Sequence, residues 1–129
     1  VHVITHNVLG SPGTKMLSEG YAVWLDGSYG RQNIAAIMTG YRDNEPDKVL
    51  TPDQMLFEPG TPEEIYYPNV GVFTRFLADD PDDGYGYGVE AVNSLFQVEA
   101  ADFKKRFEVV TGDSWESMVS AYQSYLESL

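Results

Sequence analysis

The sequence predicts an all-α fold, organised as one compact domain of several helices. Apolar residues recur at intervals of three and four through most of the chain, which is the spacing of one buried helix face. No segment alternates apolar and polar residues over the length of a half-buried strand. Threonine, serine, proline and glycine stand where helices typically begin and end. No internal repeat or long linker divides the 129 residues, so a single domain is predicted over 1–129.

Three helices are predicted in the first third of the chain, at residues 1–9, 15–26 and 32–41. Each of them carries apolar residues at helical spacing, and the first two are followed by glycine. The first helix has no Ser, Thr, Asp or Asn ahead of Val1 to cap its free amide groups. We therefore expect that part of the domain precedes Val1 and is missing from this sequence.

The middle of the chain contains two signals for helix N-termini. The segments 51–54 and 61–64 each place threonine at the cap, proline at the first helical position and Gln or Glu at the third. A separate helix is predicted at about 69–77, followed by an acidic loop at 79–84. Clustered carboxylates can bind Ca²⁺, but the spacing differs from the EF-hand loop and Pro81 interrupts it. A solvated loop is predicted instead.

The C-terminal third predicts three further helices, at residues 89–97, 101–110 and 114–126. The segment 113–116 has the pattern of a capping box at the start of the last one. Helical spacing gives this last helix an apolar stripe of Trp115, Met118, Val119, Tyr122, Tyr125 and Leu126.

The composition excludes several functional classes. Eight Lys and Arg residues against twenty Asp and Glu residues give a net charge of -12, which repels phosphate backbones and anionic membrane surfaces. We therefore expect no nucleic-acid partner. No apolar run approaches the ~20 residues that span a bilayer, so no membrane insertion is expected. The absence of cysteine removes disulfides, thiolate ligands and thiol nucleophiles.

His2 and His6 are the only histidines, and they lie four residues apart. On a helix this spacing brings both imidazoles to one face, where they can share a metal ion. Catalytic zinc sites commonly use three protein ligands plus a water. Glu19 is the best candidate for the third ligand, because a turn after His6 can fold the second helix back and Gly20 permits close backbone packing. The alternative is that both imidazoles are half-exposed, or bonded to backbone, without a metal.

The same segments resemble the gluzincin metallopeptidases, most closely their peptidase MA-like branch. That family carries a His-Glu-x-x-His helix and then a helix reading roughly Trp-Leu-x-Glu-Gly-x-Ala, and the matching segments here are 2–6 and 16–22. Less specific likenesses at 67–77 and 102–126 extend the resemblance over nearly the whole chain. The family's β-rich portion before the zinc helix has no counterpart here, in agreement with the uncapped start.

The resemblance implies a helical metallopeptidase-like domain that binds zinc through His2, His6 and Glu19. It also implies Tyr67, or its neighbour Tyr66, as an oxyanion donor. A peptide or protein is the implied substrate or ligand, and the family favours an extracytoplasmic setting.

Two features depart from the family pattern. The gap between His6 and Glu19 is shorter than usual, and Val3 stands where the family has its general-base glutamate. Losing a positioned general base typically costs ~10²–10⁴ in rate. The sequence therefore predicts a zinc-binding metallopeptidase-like domain in which peptide hydrolysis is weakened or lost. The alternative is a non-catalytic module that presents a peptide- or glycan-binding groove on the same scaffold.

Overall fold

The computed structural model describes residues 13–82 and 84–129, and over these residues the chain is mainly helical. The all-α prediction is confirmed. The predicted helix at 1–9, together with His2, Val3 and His6, lies outside the described residues. The described α-helices are α1 (Lys15–Asp26), α2 (Ile34–Asn44), α3 (Pro52–Phe57), α4 (Glu63–Ala78), α5 (Val89–Leu95), α6 (Ala100–Thr111) and α7 (Trp115–Glu127). A 3₁₀ turn, Pro46–Lys48, follows α2, and the antiparallel strands β1 (Ser28–Tyr29) and β2 (Gln32–Asn33) form a small ribbon.

Helix α4 is the centre of the fold, and α1 packs closely along it. A Cβ atom at Gly20 of α1 would overlap the hydroxyl of Thr74 and lie 2.6 Å from the carbonyl oxygen of Val70. In the other direction, a Cβ atom at Gly71 of α4 would lie 2.6 Å from a methyl carbon of Val23. Because each helix uses a glycine where the other approaches it, the two backbones come closer than ordinary side chains allow.

The predicted break before residue 69 is absent, and α4 runs unbroken through Pro68. A proline inside a helix leaves the carbonyl four residues earlier without its backbone donor. Here that carbonyl belongs to Glu64, and the hydroxyl of Tyr41 donates to it at 2.8 Å. The helical starts predicted at 61–64 and at about 69 are therefore parts of one helix, because a residue of α2 satisfies the freed carbonyl.

The predicted helix at 32–41 begins two residues later than expected, because Gln32 and Asn33 form the second strand of the ribbon. The two turn residues, Gly30 and Arg31, both have positive φ angles of 58° and 70°, as a tight two-residue hairpin turn requires. The side chain of Asn33 then caps α2 by accepting from two backbone amides. This ribbon, the only pair of strands among residues 13–82 and 84–129, was missed by the all-α prediction.

Only one of the two threonine–proline signals forms the predicted cap. Thr51 accepts from the amide of Gln54 at 3.1 Å, and the Gln54 side chain accepts from the amide of Thr51 at 2.9 Å. At the second signal the N-cap is Pro62, without a side-chain cap bond. Thr61 instead donates its hydroxyl to the carbonyl of Glu58 at 3.0 Å.

We expect Thr51→Ala to lower the free energy of unfolding by about 1 kcal/mol, because it removes a cap bond of α3. Thr61→Ala, at the other copy of the motif, is expected to cost about 0.5 kcal/mol or less, as an ordinary surface substitution does. Urea denaturation of the two variants measures the difference. Equal losses would show that the capping box adds nothing.

The C-terminal helices form close to the predicted bounds, and five members of the predicted stripe of α7 are buried, with Val119 half-buried. The capping box predicted at 113–116 is wrong. Ser114 is the cap and accepts from the amide of Ser117, so a serine, not Glu116, holds the third helical position. Asp113 instead accepts from the hydroxyl of Tyr87 at 2.7 Å.

Within the described ranges, no helix is both long and apolar enough to cross a bilayer. The core is rich in aromatic rings, which pack mostly edge to face between α4, α6 and α7. Phe73, Phe76 and Tyr122 lie at its centre, each at most 1% exposed.

Candidate metal-binding site

Glu19 and Tyr67, two residues that the gluzincin resemblance implies for one site, lie together in the structure. Glu19 is half-buried on α1, and Tyr67 is half-buried on α4. The side chains are hydrogen-bonded to each other. The helix that carries Glu19 starts at Thr14, whose hydroxyl accepts from the amide of Leu17. The contact of Gly20 with α4 then fixes Glu19 beside that helix.

The two residues border an open pocket of about 380 Å³ between α1, the ribbon and α4. The ring of Tyr29, from β1, stands edge to face against the ring of Tyr67, with the ring centres 5.5 Å apart. Among the described residues that line this pocket, none is a lysine or arginine. The lining residues are Glu19, Ala22, Val23, Asp26, Ser28, Tyr29, Gly30 and Tyr67.

Tyr67 keeps its proton at neutral pH. Burial raises the pKa of its hydroxyl first, and the charge of Glu19 raises the pKa further, as does the hydrogen bond between the two side chains. A tyrosine with a raised pKa donates a hydrogen bond and does not act as a base near pH 7. Tyr67 can therefore supply a proton donor at the edge of the pocket.

Tyr66, the alternative oxyanion donor, is placed differently. It is fully buried, and its hydroxyl donates to the carbonyl of Met55 at 3.2 Å. The ammonium group of Lys15 lies 5.1 Å from the centre of its ring. Burial is the main cause that raises the pKa of Tyr66, followed by the charge of Glu19. Tyr66 thus joins α3 to α4, and it does not line the pocket.

Of the three predicted zinc ligands, the structure describes Glu19. His2 and His6 lie outside the described residues, as does Val3. Across residues 13–82 and 84–129, no three His, Cys, Asp or Glu side chains are grouped so that they could hold a metal ion. A carboxylate at the edge of an open pocket is a donor that zinc accepts, so Glu19 fits the ligand role as far as its own chemistry goes.

Two further residues of the Glu19 pocket, Asp26 and Tyr29, were not predicted from the sequence. Asp26 at the end of α1 and Tyr29 on the ribbon complete its wall, yet neither belongs to the motifs at 2–6 or 16–22. The one signal that could have found them is the Gly30-Arg31 turn, since a tight hairpin folds Tyr29 back beside α1.

The acidic loop shows no calcium site in its described part. Residues 80–82 are exposed, and Asp79 and Asp80 accept from backbone amides of the loop itself at 3.1 and 2.8 Å. These carboxylates shape the turn between α4 and α5, in the way that Asp side chains commonly do.

Comparison with known proteins leaves the family open. No protein-family model, no curated protein and no solved structure matches the chain. The resemblance to gluzincins rests on the residues at 2–6 and 16–22.

Proposed function

We propose that this chain is a zinc-binding, metallopeptidase-like domain of the gluzincin type, with His2, His6 and Glu19 as the metal ligands. The observation that carries the proposal is the meeting of Glu19 from α1 and Tyr67 from α4 at one open pocket. Glu19 and Tyr67 are 48 residues apart in the chain, and each belongs to a segment that resembles gluzincins.

The surroundings of Glu19 suit a ligand that must keep one position. Gly20, the next residue, is packed against the backbone of Val70, so α1 cannot move closer to α4. The hydroxyl of Tyr67 lies beside the carboxylate. Metal ligands are typically held by such neighbours, and their loss weakens metal affinity by about 10- to 100-fold.

Tyr67 is the described residue best suited to stabilise charge on a substrate oxygen. Its hydroxyl lies beside Glu19 and stays protonated at neutral pH, because its pKa is raised. A preorganised hydroxyl donor stabilises an oxyanion more than it stabilises the ground-state carbonyl. Tyr66 is fully buried and does not line the pocket, whereas Tyr67 does, so Tyr67 is the donor we assign.

The expected rate of peptide hydrolysis is low because Val3 stands in the place of the general-base glutamate. Zinc, when bound, lowers the pKa of its water to about 7 and polarises a carbonyl oxygen. Val3 offers no group that removes a proton from that water or passes it to the leaving amine. We therefore propose that the chain binds zinc and a peptide or protein, and that its peptide hydrolysis is weak or lost.

Metal analysis of protein purified without chelator tests the ligand assignment. We expect about one equivalent of zinc in the wild type and less than about a tenth of an equivalent in Glu19→Gln, because a three-ligand site loses a charged donor. His2→Ala is expected to lose zinc to the same extent.

Asp26→Asn is the matched control, because Asp26 is on the same helix and lines the same pocket but is not an assigned ligand. It should keep the wild-type zinc content. Wild-type protein without zinc, or equal zinc contents in Glu19→Gln and Asp26→Asn, would contradict the assignment. Unfolding midpoints in chelator show whether the variants are folded equally well.

A further inference from the structure

The first turn of α4, residues 63–67, carries Tyr67 and is joined to the rest of the helix through a proline. Pro68 has no backbone amide that could donate to the carbonyl of Glu64. Its ring also disfavours the helical conformation at the residue before it, which here is Tyr67. Helices usually end at such a position, yet α4 continues to Ala78. Tyr67 therefore relies on contacts from outside its own helix to keep a helical backbone.

The hydroxyl of Tyr41, on α2, supplies one such contact. It donates to the carbonyl of Glu64 at 2.8 Å, which is the usual length of a well-formed O–H···O bond. The ring of Tyr41 is half-buried, and the ammonium group of Lys48 lies 5.5 Å from the ring centre. Lys48 is itself paired with Glu45 at 2.8 Å. The donor thus comes from a different helix and is held there by its own neighbours.

Two further side-chain bonds secure the same turn at other residues. The side chain of Asn69, fully buried just past the proline, donates to the carbonyl of Ile65 at 2.7 Å. The hydroxyl of Tyr66 donates to a backbone carbonyl of α3 at 3.2 Å. Neither of these bonds involves Glu64. The bond from Tyr41 therefore has a part of its own, because it satisfies the carbonyl that the proline leaves without its backbone donor.

The direction of the Tyr67 side chain depends on the backbone of this turn. In the helix, its hydroxyl is hydrogen-bonded to Glu19, and its ring stands edge to face against the ring of Tyr29 with the centres 5.5 Å apart. An extended backbone at Tyr67, which a following proline favours, would turn the side chain away from both partners. The helical conformation is thus required for Tyr67 to act as a donor in the Glu19 pocket.

We propose that Tyr41 is a positioning residue of the Glu19 pocket, which keeps Tyr67 in the helical conformation through its bond to the carbonyl of Glu64. Tyr41 is not a lining residue of the pocket, so it acts through the backbone of α4. The role of Tyr67 as a donor to a substrate oxygen rests on the proposed function, whereas its placement by Tyr41 does not. Misplacing a catalytic group by about 1 Å can cost about 10²-fold in rate.

Two NMR measurements test the placement without zinc or substrate. In Tyr41→Phe, the nuclear Overhauser contact between the rings of Tyr29 and Tyr67 should weaken, because the turn that holds them together opens more often. The amides of Ile65 and Tyr66 close this turn, and their hydrogen exchange should become about fivefold faster, the usual effect of one lost hydrogen bond. Amides beyond the proline should change by less than about twofold, because the opening is local.

Returning a backbone amide to position 68 is the matched test. Pro68→Ala gives the carbonyl of Glu64 a donor from its own helix, so in that background Tyr41→Phe should change the exchange rates by less than about twofold. Tyr21→Phe is the control for the loss of a tyrosine hydroxyl, because that hydroxyl donates to Asn93 at 3.2 Å and not to α4. It should leave the first turn of α4 unchanged.

The rate of peptide hydrolysis tests the consequence for the proposed function. In the Val3→Glu protein, adding Tyr41→Phe should lower kcat about tenfold and leave KM within about twofold, because the donor is misplaced and not removed. Adding Tyr67→Phe instead should cost ~10²–10³ in kcat, as the loss of an oxyanion donor does.

Wild-type exchange rates and ring contacts in Tyr41→Phe would overturn the inference. So would an equal effect of Tyr41→Phe in the Pro68→Ala background, or faster exchange along all of α4, since the loss would then be one of overall stability. An unchanged kcat in a variant that has lost the ring contact would remove Tyr41 from the reaction. If the Val3→Glu protein is inactive, the hydrolase proposal fails, and the NMR comparison still decides what places Tyr67.

Discussion

Gly20→Ala is expected to lower the free energy of unfolding by about 2–3 kcal/mol, the cost of forcing extra volume into a packed interface. The new Cβ would overlap the hydroxyl of Thr74 and press on the carbonyl of Val70, 2.6 Å away. These two groups are themselves hydrogen-bonded at 2.8 Å, so neither can move without breaking a bond in α4. Urea denaturation followed by circular dichroism measures the change.

Gly40→Ala is the matched control, because Gly40 lies in α2 and has no atom within 4 Å of the position of a new Cβ. Replacing a helical glycine with alanine at an open position should raise the free energy of unfolding by about 0.5–1 kcal/mol. Because the two expected changes in the free energy of unfolding have opposite signs, the pair of variants distinguishes an effect of close packing from an effect of helix propensity. A Gly20→Ala variant as stable as Gly40→Ala would show that α1 and α4 are not packed as described.

Val3→Glu is expected to raise the hydrolysis of a casein substrate by ~10²–10⁴ over the wild type, which is the usual contribution of a positioned general base. The reason is that glutamate restores the one group of the family's His-Glu-x-x-His pattern that this sequence lacks. Release of soluble peptides with time, with zinc present, measures the rate.

Val3→Glu combined with Glu19→Gln is the control, and this pair should be no faster than the wild type because the metal is lost. Val3→Gln should also remain slow, since an amide is not a base. If Val3→Glu binds zinc and still hydrolyses nothing, the hydrolase proposal fails. The alternative of a peptide- or glycan-binding module without catalysis would then be favoured.

The helical fold could be predicted because its signals are local. The Thr51 capping box depends on residues within one turn of one another, and it is present as predicted. The course of α4 could not be predicted in the same way. A helix can pass through Pro68 when another group donates a hydrogen bond to the carbonyl of Glu64. Here that donor is Tyr41, which is 23 residues away in the sequence. A pattern within one or two helical turns cannot predict a partner so far away.

In the candidate site, too, the residues that belong to local motifs could be predicted and those placed by tertiary packing could not. Glu19 could be proposed because it belongs to a recognisable local motif. Gly20 was expected to pack against the helix predicted at 1–9, which lies outside the described residues, and the close contact that the structure shows at Gly20 is with α4. Asp26 and Tyr29 were missed because their place in the pocket depends on a hairpin turn and on the packing of α1 against α4. Tyr122 was correctly placed on the apolar face of α7, but its unpartnered hydroxyl is a property of the assembled core.

Zinc K-edge absorption on protein purified without chelator examines the three assigned ligands together. We expect a four-coordinate zinc with two imidazole nitrogens and one carboxylate oxygen at about 2.0–2.2 Å, the remaining position being water. Glu19→Gln should lose this spectrum, and Asp26→Asn should retain it. Protein without zinc, a zinc without imidazole ligands, or the same spectrum in Glu19→Gln as in the wild type would show that His2, His6 and Glu19 are not the ligands.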